Sequence, residues 1–106
     1  MTEKLKNLIK GYKEELNYTL RDENPYMWGS IQSKLGDAFF SLGKQDELGV
    51  MDLEKAIIAY NKSLDIYEKG KDPFYAGIHC RLTEAIVLLE ERKKKGGESS
   101  KKRKIN

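Results

Sequence analysis

The chain has very little of what most catalytic and metal sites are made from. Its 106 residues include one cysteine, Cys80, and one histidine, His79. A lone cysteine cannot close an internal disulfide and suits a reducing compartment. Cys80 and His79 are adjacent, and on a helix adjacent side chains project about 100° apart, so they do not form a nucleophile and base pair. No second histidine or cysteine exists to complete a soft metal site. Long apolar runs are missing too. Nothing approaches the roughly 20 residues of a membrane span, and the first ten residues mix Glu3 with Lys4, Lys6 and Lys10 instead of forming the apolar stretch of a signal peptide. A soluble cytoplasmic protein is expected, with a nuclear location open if the host is eukaryotic. Gly96-Gly97 is not a phosphate loop, because no strand precedes it and no Gly-Lys-Ser/Thr follows. The carboxylates Asp46-Glu47 fall in a solvated loop. An enzyme is not expected, nor is a cofactor or a metal.

Proline is scarce as well, and the two that occur are informative. Asn24-Pro25 recurs as Asp72-Pro73 forty-eight residues later. Each pair follows the same apolar ladder at the same distance: Ile9, Tyr12, Leu16 before the first, and Ile57, Tyr60, Leu64 before the second. Aligning Leu5 to Asn24 with Leu53 to Asp72 needs no gap. Dropping one residue then places Trp28, Ile31, Leu35, Ala38 and Phe39 over Tyr75, Ile78, Leu82, Ala85 and Ile86. A repeat of this length points to stacked helix pairs, which present a surface to a partner. The i, i+3, i+4, i+7 spacing is helical. Asn24 and Asp72 can cap the next turn, and Pro25 and Pro73 sit where a missing N–H costs nothing. Asp52 offers the same capping chemistry ahead of Leu53, and Thr2 ahead of the first helix. Helices are expected near 3–21, 25–42, 52–69 and 73–94, with a mobile connection from Gly43 to Met51. A chain this short makes one domain with a small core and modest stability.

The net charge of +3 divides unevenly. Residues 1–24 hold five basic and five acidic groups, residues 25–90 seven and ten, and residues 91–106 eight and two. The basic balance therefore belongs to the end of the chain and predicts no nucleic-acid-binding face on the helices. Arg92-Lys93-Lys94-Lys95 and Lys101-Lys102-Arg103-Lys104 offer almost nothing to bury, so residues 95–106 are expected to form a basic disordered tail. The tail has three further readings: attraction to nucleic acid or another anionic partner, a nuclear-import address, and complementing the negative end of the preceding helix dipole.

Leu35-Gly36 with Phe39, then Ala56, Tyr60 and Ser63, resemble the tetratricopeptide repeat. In that family a Leu-Gly pair and an aromatic mark the first helix, and an alanine, an aromatic and a small residue mark the second. The likeness covers about 85 residues: one whole repeat, a preceding second helix and a following first helix. It departs from the usual period of about 34 in the Gly43–Met51 loop and in a longer second helix, which is similar to a long-loop variant of large bacterial repeat proteins. Trp28 stands seven residues before Leu35, and Gln32 occupies the family's usual tryptophan position. Thr83 replaces Gly36 in the second copy. The resemblance implies an all-α fold of about four helices, antiparallel hairpins stacked as a short right-handed solenoid. Gly36 would let the facing helix approach closely, with Leu35, Phe39, Ile57, Tyr60, Leu64, Leu82, Ile86 and Leu89 in the core.

The resemblance also implies which residues meet a partner. First helices line the concave side in this family, which selects Ser30, Ser33, Lys34, Asp37, Phe40 and Ser41 on one helix and Gly77, Cys80, Arg81, Glu84 and Leu88 on the other. The expected contact set is Ser33, Lys34, Asp37, Phe40, Ser41, Arg81 and Glu84. Lys34 and Arg81 are equivalent in the alignment and could bind a carboxylate, or they could pair locally with Asp37 and Glu84, three residues further along each helix. The asparagines of the family's carboxylate clamp are absent at the matching positions. The partner is expected to be a protein or peptide. The apolar stripes at the two ends offer self-association as another mode. Tyr26, Trp28 and Tyr75 are aromatic near helix starts, suited to packing or to contact.

Overall fold

The computed structural model describes the backbone of residues 2–46 and 49–105, and the side chains of these residues up to Lys95. It is all-α, with four helices: α1 (Thr2–Tyr18), α2 (Pro25–Gln45), α3 (Val50–Leu64) and α4 (Pro73–Ile105). Among the described residues there is no strand. Each helix packs on its neighbour in sequence, most extensively α2 on α3.

The α2–α3 interface is antiparallel, and small residues bring the two helices close. Gly29, Gly36 and Gly43 recur every seven residues, two helical turns, and so share one face of α2. A Cβ on Gly36 would stand 2.7 Å from the Tyr60 ring, and one on Gly43 2.7 Å from Leu53. At the far end, Ser63 Oγ donates to the Gly29 carbonyl at 2.7 Å. Partners on α3 thus descend from Ser63 through Tyr60 to Leu53 as positions on α2 rise. Tyr60, Leu53 and Ser63 are fully buried. Each large apolar side chain so enclosed stabilises the fold by about 1.5–3 kcal/mol.

The core holds Leu35, Phe39, Tyr60, Leu82 and Leu89 as expected, with Ile57 and Leu64 packed against it from half-buried positions. Two placements differ. Ile86 is exposed, and its neighbour Ala85 is fully buried instead. Phe40, expected on the partner face, is buried in the core at 7% exposure.

Helix boundaries also differ, for local reasons. The α1 helix stops at Tyr18, where a turn closed by the Asn24 amide on the Leu20 carbonyl at 2.9 Å reverses the chain. Asn24 does cap α2, its Oδ1 accepting from the Met27 amide at 3.3 Å. The α2 helix runs to Gln45, three residues beyond the expected end. Gly49, not Asp52, stands at the α3 N-cap, and Asp52 falls in the first turn. Thr2 is likewise already helical. What is left of the expected mobile connection is short, and Glu47 and Leu48 within it lie outside the described residues. The α3 helix ends at Leu64 because the next segment closes on itself. The Asp72 carboxylate accepts from the Glu68 amide at 2.6 Å, the Asp72 amide donates to the Glu68 carbonyl at 3.0 Å, and Gly70 supplies the left-handed turn at φ 83°. The backbone of α4 continues to Ile105, through the segment expected to be a tail; after Pro73 no proline interrupts it. Asn106 lies outside the described residues.

Candidate functional site

α2 and α4 both pack on α3 and run in the same direction, and side chains link them in ascending order. Tyr67 lies between Tyr26 and Phe74 near the helix starts, with ring centroids 5.9 and 5.6 Å away. Midway, Asp37 pairs with Arg81. Near the end of α2, Arg92 donates to the carbonyls of Gly43, Asp46 and Lys44, the last two at 2.6 and 3.2 Å. These are carbonyls at the helix C-terminus and just beyond it, which lack intrahelical donors. A cation there also meets the negative end of the α2 dipole. Arg92, assigned from the sequence to a solvated charge run, is thus a clamp between helices.

The starts of α2 and α4 enclose a cleft of about 670 Å³, within the range of ligand-binding clefts. Tyr26, Met27 and Phe74 expose 60%, 51% and 63% of their surface at its rim. Ile78 and Tyr67 are the buried apolar residues of its wall. The Tyr67 hydroxyl donates to the Tyr26 carbonyl at 3.2 Å, and burial, with Asp72 and Tyr26 nearby, raises its pKa above the ordinary tyrosine value. Ser30, Ser33 and Gly77 supply the small wall positions. Ser33 is half committed, since its Oγ donates to the Ser30 carbonyl at 2.9 Å. Lys34 and Arg81 are the charged residues of the lining. Lys34 has no ion-pair partner among the described residues.

Arg81 is held in place by a network that joins three helices. Its Nε lies 2.9 Å from Asp37 Oδ1, close enough for an ion pair but not aligned as a hydrogen bond. The Tyr60 hydroxyl donates to the same oxygen at 2.6 Å. Burial, reinforced by this bond to the carboxylate, pushes the Tyr60 pKa well above the ordinary range. Asp37 therefore pairs across to Arg81, and neither local pairing expected from the sequence forms. Glu84 sits outside the cleft, within 3.9 Å of the Cys80 thiol.

Of the seven residues expected to meet a partner, Ser33, Lys34 and Arg81 come together in this cleft. Asp37 supports Arg81 from behind and, with Ser41 and Lys34, lines a shallower recess of about 210 Å³ against α1. Phe40 lies in the core, with Lys44 Nζ 4.7 Å from its ring centroid. Sequence reading omitted Met27, Tyr67 and Phe74 from the site, although the first and last stand beside the repeated Asn-Pro and Asp-Pro pairs. Trp28 is half-buried under Arg21, 5.1 Å from its ring centroid, and Tyr75 packs on the core and stacks with His79. No group of three or more acidic, histidine or cysteine side chains able to hold a metal occurs among the described residues, and no described helix is long and apolar enough to cross a membrane. No protein-family model, curated protein or solved structure matches the chain.

Proposed function

We propose that the protein is a non-catalytic interaction module whose α2–α4 cleft binds a peptide segment or a helix of a partner protein. The observation that carries this reading is the composition of the cleft. Three large side chains, Tyr26, Met27 and Phe74, stay exposed at one rim, while two cations and no carboxylate line the wall. Aromatic, methionine and arginine side chains are those enriched at protein interfaces. The ligand this favours has an apolar or aromatic anchor beside an acidic side chain, the anchor seated on Tyr26 and Phe74 and the acid reaching Lys34 and Arg81. The Tyr60–Asp37 pair fixes Arg81 in advance and lowers the ordering cost of such a contact.

The same reading extends to architecture. α2 and α4 recur at an offset close to the 48-residue sequence repeat and pack in parallel on α3, as stacked tetratricopeptide-like hairpins in a short right-handed solenoid would. A solenoid binds along its concave side, which here would be the α2–α4 side.

A test is to select peptides from a random display library on the folded protein and measure their affinity for variants. Lys34→Glu and Phe74→Ala should each weaken binding about tenfold or more, equivalent to about 1.4 kcal/mol. Binders should be rich in acidic residues next to aromatic or aliphatic ones. Affinities unchanged in both variants would remove the cleft from consideration.

A further inference from the structure

We propose a second binding site on the other side of the molecule, between α1 and α3, that takes an organic phosphate monoester. Its phosphate is held by Lys13, Lys55 and Lys62, and its apolar body rests on Phe39 and Ile58. The site is a recess of about 260 Å³, and its lining includes these five residues and Gln32. That volume suits a fragment smaller than the usual occupants of ligand clefts, which need about 300 Å³ or more.

Three observations converge. The first is unbalanced charge. Lys13 comes from α1 and Lys55 and Lys62 from α3, no carboxylate lines the recess, and none of the three lysines has an ion-pair partner among the described residues. The folded body has more acidic than basic groups, so a carboxylate-free cluster of three cations is not what its average composition supplies. Lys13 Nζ and Lys55 Nζ both lie over the Phe39 ring, at 5.7 and 5.6 Å from its centroid. They are therefore no more than about 11 Å apart, a range at which salt largely screens their mutual repulsion, and they form one positive patch open to an anion. The ring attracts each cation, but only weakly at an exposed site. An anion in the recess would meet charged donors from both lysines.

The second observation is Gln32. It is 5% exposed, lines this recess and makes no hydrogen bond among the described residues. Among the described residues only Arg81 Nε is a buried side-chain polar atom without a partner, so the Gln32 amide is not sealed off, and its two donors and its acceptor stay open to a ligand in the recess. A phosphate oxygen in the recess would accept from the amide, and ammonium groups would supply charge-assisted bonds to the others.

The third is apolar surface next to these donors. Ile58 is 54% exposed beside the lysines, and Leu35, Ala59 and Phe39 complete the floor. An inorganic anion would leave that surface wet. An ester with a compact aromatic or aliphatic group would cover it.

Residue-resolved NMR titration of the full chain tests the proposal, because the basic residues after Glu91 will also attract anions and only local signals separate the two. The probe is phenyl phosphate. Saturable shifts are expected at the Gln32 side-chain amide, the Ile58 methyls and the Phe39 ring. Lys55→Glu should weaken them at least tenfold, and Lys34→Glu, in the other cleft, should leave them unchanged. Glycerol 3-phosphate, whose body is polar, should bind more weakly than phenyl phosphate. Shifts confined to residues after Glu91, an unchanged response in Lys55→Glu, or equal affinity for the two esters would each overturn the assignment.

Discussion

Gly36 illustrates what a single residue decides here. A Cβ at this position would stand 2.7 Å from the Tyr60 ring, which is fully enclosed and cannot retreat. Gly36→Ala should therefore destabilise the protein by about 1–3 kcal/mol in denaturant titration. At Gly11, also helical, nothing lies within 4 Å of the added methyl. Gly11→Ala should instead stabilise by about 0.5–1 kcal/mol, since only the entropic cost of glycine is removed. Two alanine variants moving in the same direction would contradict the α2–α3 packing. Tyr60 has a second consequence. Its folded-state pKa is raised above the unfolded value of about 10, so the neutral phenol contributes stability that is fully present below pH 10 and is lost as the pH climbs toward the folded value. Denaturant midpoints measured at pH 8 and pH 11 should fall more for the native chain than for Tyr60→Phe. Gly36 was legible in the sequence because a small residue beside an apolar ladder marks a close approach. Asp37 was not, because a carboxylate three residues from a lysine on one helix looks like its local partner, and only the fold brings Arg81 and Tyr60 to it.

Among the elements, α4 departs most from its sequence reading. Arg92 was grouped with the lysines after it by composition, yet it reaches the C-terminal carbonyls of α2 and ties the two helices together. Hydrogen bonds to a charged donor contribute about 1.5–3 kcal/mol when buried. Arg92 is half-buried, so Arg92→Ala should cost less, about 1–2 kcal/mol. The loss should appear as faster amide hydrogen exchange in the last turn of α2 and the first turn of α3. Loss of protection spread evenly over all four helices would mean that the clamp is not local. Helix number, order and the starts of α2 and α4 were readable because Asn24-Pro25 and Asp72-Pro73 mark them chemically. The ends were not. Leu64 gives way to a closed turn that depends on the Asp72 carboxylate bonding backward to Glu68, and apolar periodicity contains no trace of such a bond.

Across the whole molecule, one internal repeat is used in two ways. Phe39 and Phe40 are buried by neighbouring helices, whereas Ile86 and Val87, which follow them in the alignment, are 36% and 48% exposed. Identical period therefore does not mean identical environment, and this is why Ile86, expected in the core, is exposed while Phe40, expected on the partner face, is buried. The cleft itself was partly legible. Lys34, Ser33 and Arg81 followed from the register of the repeat, but its aromatic rim depends on Tyr67, which lies outside the regular helices, and on the chain reversal at Gly70 that brings Phe74 back against it. Localising a peptide selected on the folded chain by residue-resolved NMR tests the binding assignment most directly. Shifts should concentrate at Tyr26, Met27, Ser33, Phe74, Gly77 and Arg81, along the α2–α4 cleft. A perturbation lying instead along α1 and the exposed Ile58 side of α3, with those six residues unmoved, would contradict it.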